Sequence, residues 1–311
     1  MATEAGSIYI DAIQVAVLTN EIDGHKLVNE EMRGLENEVK LIQDPWYAQR
    51  SALDMAKDLA MSDNVAVDAA DSALAARIAE LRSTLTEYEM EVLRALGKDC
   101  GEIIGEVART VRPTMTEWEI ASRLSAKMWD RGITPVVVLV AADERVDNIR
   151  HPLPTKKRVK NKAMLVICGQ RAGLIVSTTR LVYNITTAPT ATIPDDLLRR
   201  HEATTYVDAV LMATPVLLEQ RPTICSRLHK LLTLKGATMA NGNFATKAVV
   251  LPKSREWVAN PSVHRVTGLN QAYDWNPPVA GTKSEDTVLC YADSQGAPVV
   301  EVITPSMLVS H

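Results

Sequence analysis

Along this chain the apolar positions change rhythm several times, and each rhythm predicts an element. Ile8 to Leu18 (IYIDAIQVAVL) is β-branched and mostly apolar, which predicts a strand. Lys26 to Glu38 sets Leu27, Val28, Met32 and Leu35 among charged residues at helical spacing. Val39 to Ile42 predicts a second short strand, closed by Asp44-Pro45. Trp46 to Met61 then reads as a helix and Asn64 to Val67 as another short strand. Together these form a small α/β unit with little visible chemistry.

From Leu85 the pattern lengthens. Met90, Leu93, Leu96, Cys100, Ile103, Ile104 and Val107 recur at steps of three or four, which predicts a long amphipathic helix over Thr86 to Thr110. Pro113 ends it. Thr116 is an N-cap and Glu119, three residues on, completes a capping box for a helix running to Asp130 and stopping at Gly132. Pro135 to Ala141, Met164 to Cys168 and Gly173 to Val182 read as buried strands, the last two joined by a turn containing Gly169 and Gly173. Pro194 to Leu218 is a second long helix with Asp195 and Asp196 at its dipole-favoured start. Further strands are expected at Ala248 to Leu251, Gln271 to Trp275 and Asp286 to Tyr291. The order of elements is that of an α+β fold.

Composition narrows the function classes. With 46% hydrophobic and 23% charged residues, 311 residues can bury a sizeable core, although only one Phe contributes to it. A net charge of −4 argues against general nucleic-acid affinity. No apolar run is long enough to span a bilayer, and the first residues lack the features of a secretory signal. Cys100, Cys168, Cys225 and Cys290 lie far apart without a CxxC pair, which fits buried thiols in a reducing compartment and a cytoplasmic location. One stretch is unusual in its charge. Asn148 to Pro194 holds eight Lys or Arg and no acid, in an otherwise acidic chain.

Four segments carry a resemblance: Arg112-Pro-Thr-Met-Thr-Glu-Trp-Glu-Ile, Arg150-His151-Pro152-Leu153-Pro154, Gly173-Leu-Ile-Val-Ser-Thr-Thr179-Arg180, and Gly281-Thr-Lys-Ser-Glu285-Asp286-Thr-Val-Leu. In order and spacing they resemble the pita-bread superfamily of methionine aminopeptidases, proline-specific aminopeptidases and creatinase, over roughly Leu85 to Cys290. A metallopeptidase-like bacterial group is more similar still, sharing AADERV (Ala141–Val146), RHPLPT (Arg150–Thr155), WNP (Trp275–Pro277) and GTKSEDT (Gly281–Thr287). The resemblance implies a pita-bread domain over residues 85–311. It also implies a shortened creatinase-like α/β domain over residues 1–84, and a homodimer.

Peptidases of that superfamily hold two divalent metals with two Asp, one His and two Glu, hard oxygen ligands that bridge and neutralise the ions. Here the second Asp position is Ser177, and the first falls at Val166, or at Cys168 if the turn is shorter. The Glu expected before a late Pro is Asn276, which leaves Glu285 as the one matching ligand. The His- and Gly-rich segment of the bacterial group reads Met239-Ala-Asn-Gly-Asn-Phe-Ala-Thr-Lys-Ala-Val ahead of Arg255-Glu256, with no histidine. No metal and no cofactor is therefore expected.

The remaining polar residues define a candidate site. His151 stands where the superfamily places a substrate-facing histidine, and creatinase uses a histidine as a metal-free proton shuttle. An imidazole titrating near neutrality suits that role. Glu285 and Glu256 are candidate second acid/base groups. Arg150, Arg180 and Arg255 are candidate anion holders, with Asn276, Tyr273 and Trp275 as pocket-lining residues. Each also has a bland reading: a loop histidine, strand aromatics in the core, and an Arg180 that simply pairs with Glu285 or Asp286. His201 and His264 read as surface residues. Two functions follow. One is a metal-independent enzyme acting on a small polar, anionic molecule by C–N hydrolysis, elimination, decarboxylation or cyclisation. The other is a non-catalytic pseudo-peptidase that binds a partner.

Overall fold

The computed structural model describes residues 6–35, 37–48, 50–183, 192–217 and 268–305. The chain divides into two compact units, Met1–Ile78 and Ala79–His311. Expectations placed on Ala248–Leu251, Arg255, Glu256, His264, Cys225 and the Met239 segment lie outside the described residues.

In the first unit, the single strand expected over Ile8–Leu18 is a hairpin. Strands β1 (Gly6–Ile10) and β2 (Val15–Asn20) pair antiparallel, with Ile8 opposite Val17. The turn forms because the Asp11 carboxylate accepts from the backbone N–H of Ile13 (2.7 Å) and Gln14 (2.9 Å), a local bond that competes with extended structure. The helix expected from Lys26 starts earlier. Asn20 caps α1 (Glu21–Lys26), which continues as a wider π turn over Leu27–Glu31 and ends at Met32. Strand β3 (Val39–Asp44) runs parallel to β2, giving the order β1-β2-β3. Helix α2 (Ala52–Ala60) begins six residues later than Trp46, at a Ser51/Asp54 capping box. Tyr9, Ala16, Leu18, Met55 and Ala56 form the small core. Asn64–Val67 is irregular rather than a strand. Helix α3 (Ser72–Ser83) contains the boundary between the units.

The second unit is built on α4 (Glu87–Thr110) and α5 (Glu117–Asp130), with the Thr116/Glu119 capping box in place. They pack on an antiparallel sheet of β4 (Thr134–Ala142), β5 (Lys162–Arg171) and β6 (Leu174–Tyr183), with the short helix α6 (Glu144–Asn148) after β4. Leu93, Leu96, Ile103, Ile104, Ile120, Leu124, Leu165, Ile167 and Val176 fill the space between helices and sheet. Gly169 belongs to β5, so the β5–β6 turn is Ala172-Gly173, both at positive φ. Helix α7 (Asp195–Leu217) follows. Strand β7 (Gln271–Trp275) leads through the small β8 (Pro278–Val279) and β9 (Thr282–Lys283) hairpin to β10 (Asp286–Ala292) and β11 (Pro298–Val302). These last strands form a second sheet in the order β11-β10-β7, and α7 packs its Ala203, Val207 and Leu211 against Tyr273, Trp275 and Val288. The two sheets of this unit meet at an antiparallel bridge between Thr179 and Glu285. Among the described residues, no helix is long and apolar enough to cross a membrane.

Candidate functional site

The β5–β6 register decides which side chains stand where metal ligands are expected. Cys168 is opposite Ser177 and Val166 is opposite Thr179. Residues 163, 165 and 167 point into the helical core, so strand alternation sends Val166, Cys168, Ser177 and Thr179 to the other face. Ser177 Oγ lies 3.1 Å from Cys168 Sγ. Burial, then the charge of Glu285 and more weakly that of Asp274, pushes the Cys168 thiol up to about 12, despite the lowering effects of Ser177 and Lys283. That thiol is inert at neutral pH.

The bridge to β10 brings Glu285 onto the same face. Its side chain is fully enclosed, and both oxygens are engaged. Oε1 accepts from Asn276 Nδ2 at 3.0 Å, while Oε2 accepts from Lys283 Nζ at 2.8 Å and from the Thr179 hydroxyl. Burial alone would push this carboxyl up. The Lys283 charge and the bonds from Lys283, Thr179 and Asn276 outweigh it and hold the group below the ordinary glutamate value. Lys283 is itself 6% exposed, so this is a buried ion pair. Asp274, on β7, is buried in register with Thr287, whose hydroxyl accepts from Ser177 N at 2.9 Å.

Arg180 has internal partners. Its guanidinium donates to Asp286 Oδ1 (2.9 Å), Thr304 O (2.7 Å), Thr178 Oγ1 (2.8 Å) and Thr179 O (2.7 Å). Burial still leaves Asp286 above the ordinary aspartate value, with Arg180 and the Thr304 hydroxyl pulling it down. Of the two readings that the sequence offers for Arg180, the structure supplies the contacts of the structural pair. In the acid-free stretch Arg180 is thus answered by Asp286 of β10, while Lys157, Lys162 and Arg171 pair with Glu144, Asp147 and Asp99.

Tyr273 and Trp275 are fully buried against α7, in the core rather than along a cavity wall. The Trp275 indole N–H has no hydrogen-bond partner among the described residues. His151 is exposed and Arg150 half-buried, on a segment fixed from two sides. Val140 N donates to Pro152 O at 3.2 Å, and Arg145 Nη2 donates to Leu153 O at 2.9 Å. Behind them Glu117, fully buried in the first turn of α5, accepts from Ala142 N, Thr155 N and Thr155 Oγ1 at 2.7–2.8 Å and pairs with Arg145.

His201 is not a surface residue. Burial lowers its pKa, and Nδ1 lies 2.7 Å from Thr282 Oγ1. Two buried groups carry chemistry that the sequence reading passed over: Asp274, and Asp208 on α7. Asp208 is 2% exposed, and one oxygen accepts from Ser284 Oγ while the other has no partner among the described residues. Burial pushes its carboxyl well up, helped by Asp286 and Glu285 and opposed by the Ser284 bond and Arg180.

These residues do not fit a carboxylate-bridged metal pair. Neither possible alignment of the first ligand gives an acid, Ser177 replaces the second, and the oxygens of Glu285 are already occupied. Among the described residues, no group of three or more His, Cys, Asp or Glu is placed to hold a metal ion.

No family model and no curated protein matches the sequence. Solved structures do. An Xaa-Pro dipeptidase from Bacillus anthracis superposes with a TM-score of 0.69 at 15% identity, covering 99% of this chain and 90% of that one. Prolidase from Pyrococcus furiosus gives 0.69 at 13% identity, over 97% and 90%. Methionine aminopeptidase from Rickettsia prowazekii gives 0.57 at 11% identity, over 71% of this chain and 99% of that one. The chain has the pita-bread fold.

Proposed function

We propose that this chain is a metal-independent protein on a peptidase-like scaffold, whose inner sheet face serves binding or interaction rather than peptide hydrolysis. The state of Glu285 carries the reading. A carboxylate that accepts three hydrogen bonds and is held below its ordinary value is a weak base and a poor bridging ligand. Cys168, Ser177 and Asn276 stand beside it in place of acids. The test is to supply purified protein with Mn²⁺, Co²⁺ or Zn²⁺, then measure bound metal and cleavage of Xaa-Pro dipeptides and Met-initiated peptides. No stoichiometric metal and no metal-stimulated cleavage is expected. Metal-dependent turnover would overturn the reading.

A second reading is a metal-free enzyme that acts on a small anionic molecule, with His151 moving the proton, Glu256 assisting, and Arg150 and Arg255 holding charge. The anchored segment around His151 favours it, because an exposed imidazole on a fixed backbone meets the positional requirement of acid/base catalysis. Arg180 contributes less in this version, since Asp286 already neutralises it. Screening small organic acids and guanidino compounds by thermal shift would supply a substrate. His151→Ala should then lower turnover by roughly 10²- to 10⁴-fold; unchanged turnover would remove this reading. A homodimer belongs to both versions, and light scattering checks it.

A further inference from the structure

We infer that the start of α5 is a docking surface for an acidic, extended segment of a partner protein, with carboxylates at Arg112, Arg123 and Arg158 and an apolar side chain on Trp118. The surface lies on the helical side of the β4–β5–β6 sheet, opposite the face that carries Glu285. It therefore goes beyond both readings above and depends on neither.

Other guanidinium groups of this unit are matched by acids: Arg94 by Glu301, Arg131 by Asp99, Glu102 and Glu106, and Arg171 by Asp99. At the α4–α5 connection the hydrogen bonds go to uncharged atoms instead. Arg112 Nη1 donates to Arg109 O (2.7 Å) and Val111 O (2.9 Å), Arg123 Nη1 to Thr110 Oγ1 (3.4 Å), and Arg158 Nη1 to Thr114 O (2.5 Å). Capping of the α4 C-terminus accounts for Arg112 alone. Arg123 comes from α5 and Arg158 from a later segment, so three parts of the chain bring like charge to one connection. Each is held through Nη1. The Nε/Nη2 edge, the fork that grips a carboxylate, bonds to none of the described residues. Nearby acids are engaged elsewhere. Glu117 is buried against Arg145, Asp143 accepts from the N–H groups of Lys160, Asn161 and Lys162, and Glu144 pairs with Lys157. Glu119 Oε2 accepts from Thr116 N (2.6 Å) and Thr116 Oγ1 (2.9 Å). Those bonds hold its carboxyl below the ordinary value, and the charges of Arg158 and Arg123 add to the effect, so both guanidinium groups stand around it.

The backbone beside α5 gives the shape of the partner. Residues 155–159 run antiparallel to 114–118, with Trp118 N donating to Thr155 O (3.2 Å), Glu117 N to Lys157 O (2.9 Å) and Val159 N to Met115 O (2.9 Å). Along this extended segment Lys156, Arg158 and Lys160 are exposed and alternate with half-buried Lys157 and buried Val159. Alternate side chains on such a segment repeat every ~7 Å, as do acids at alternate positions of an extended peptide. Trp118, 58% exposed, borders this row and offers the aromatic anchor that protein interfaces favour. A nucleic acid is disfavoured by the net charge of −4, and a membrane surface would require a wider apolar face than Trp118 provides.

Fluorescence anisotropy at low ionic strength tests this on the full-length protein. The probe is a labelled heptapeptide with glutamate at its odd positions, leucine at its centre and serine elsewhere. Wild type and Lys98→Gln, which removes an exposed cation of α4 away from this connection, should bind it equally. Trp118→Ala should weaken binding by about fivefold. Arg112→Gln/Arg123→Gln/Arg158→Gln should weaken it by about 30-fold or more. Should the triple variant not fold, Arg123→Gln alone, which gives up a single long bond, should still weaken binding by about threefold. Wild type that does not bind the probe at about 1 mM, or affinity unchanged in the arginine variants, overturns the inference. Equal binding of the same peptide with lysine in place of glutamate also overturns it. Single-stranded RNA or phosphatidylserine vesicles that bind more tightly than the peptide, and lose that binding in the arginine variants, would overturn the choice of a protein partner.

Discussion

At the scale of single residues, the burial of charge sets the pH behaviour. Asp208 is enclosed, with one oxygen bonded by Ser284 and the other without a partner among the described residues, and burial raises its carboxyl well above the aspartate value. Between the ordinary value and the raised one, the native protein keeps a proton that the unfolded chain has lost. This contribution to stability therefore falls as pH rises through that window. Asp286 has the same sign, while Glu285 is lowered and has the opposite one, its contribution being lost on acidification. His201 is lowered too, so protonating it costs the native state as pH falls below the ordinary histidine value. Comparing Asp208→Asn with wild type isolates one group from this mixture. The gap between their urea midpoints, in the variant's favour, should widen as pH rises from 4 to 8. Parallel pH profiles would show that Asp208 is not the buried acid described. Nothing in the sequence marks this residue, because α7 has little separation between its faces and places Thr204 and Asp208 on the buried side.

At the scale of elements, local chemistry was legible and pairing was not. Thr116 and Glu119 announce the start of α5, and the cap forms with Thr116 Oγ1 accepting from Glu119 N at 3.1 Å. The β1–β2 hairpin was missed because its turn is made by one Asp11 carboxylate within an apolar run, without the Gly or Asn that usually signals a hairpin. Glu117 was equally silent. A glutamate in a first helical turn is ordinary, and its role as an anchor appears only when Ala142, Arg145 and Thr155 converge on it. The two neighbours make a paired prediction. Thr116→Ala should cost about 1 kcal/mol, the usual value of an N-cap. Glu117→Ala should cost roughly 3 kcal/mol, because it removes the shared acceptor and leaves Arg145 without its carboxylate. Only the second should speed tryptic cleavage after Arg150, since the Glu117 side chain, unlike that of Thr116, ties Thr155 to α5 beside the Trp118 N–H to Thr155 O bond. Equal cleavage in both variants would mean that the loop is held by its other bonds.

For the molecule as a whole, the resemblance carried by four separated segments was enough to give the fold. The site was half legible. The loss of acids from Asn148 to Pro194 is plain in the letters, whereas its consequence is not. Arg180 of that stretch looked like an anion holder until β10 brought Asp286 against it, a contact that spans more than a hundred residues. Long-range closure of the same kind governs α4. Its Gly97 and Gly101 lie mid-helix, where alanine would ordinarily be favoured by about 1 kcal/mol. Here the C-terminal segment crosses so closely that a Cβ at either glycine would meet a backbone oxygen, Ile303 O or Pro305 O, at 2.3 Å. That backbone cannot retreat freely. Ile303 is 3% exposed and its N–H donates to Thr287 O at 3.0 Å, while Thr304 bonds both Arg180 and Asp286. Overpacking against such a segment outweighs helix propensity. Gly97→Ala and Gly101→Ala should therefore each lower the denaturant midpoint. The strain should pass through Thr304 to the Arg180–Asp286 pair, so combining Gly101→Ala with Asp286→Asn should cost less than the sum of the two. Strict additivity would mean that α4 and the polar cluster are mechanically independent.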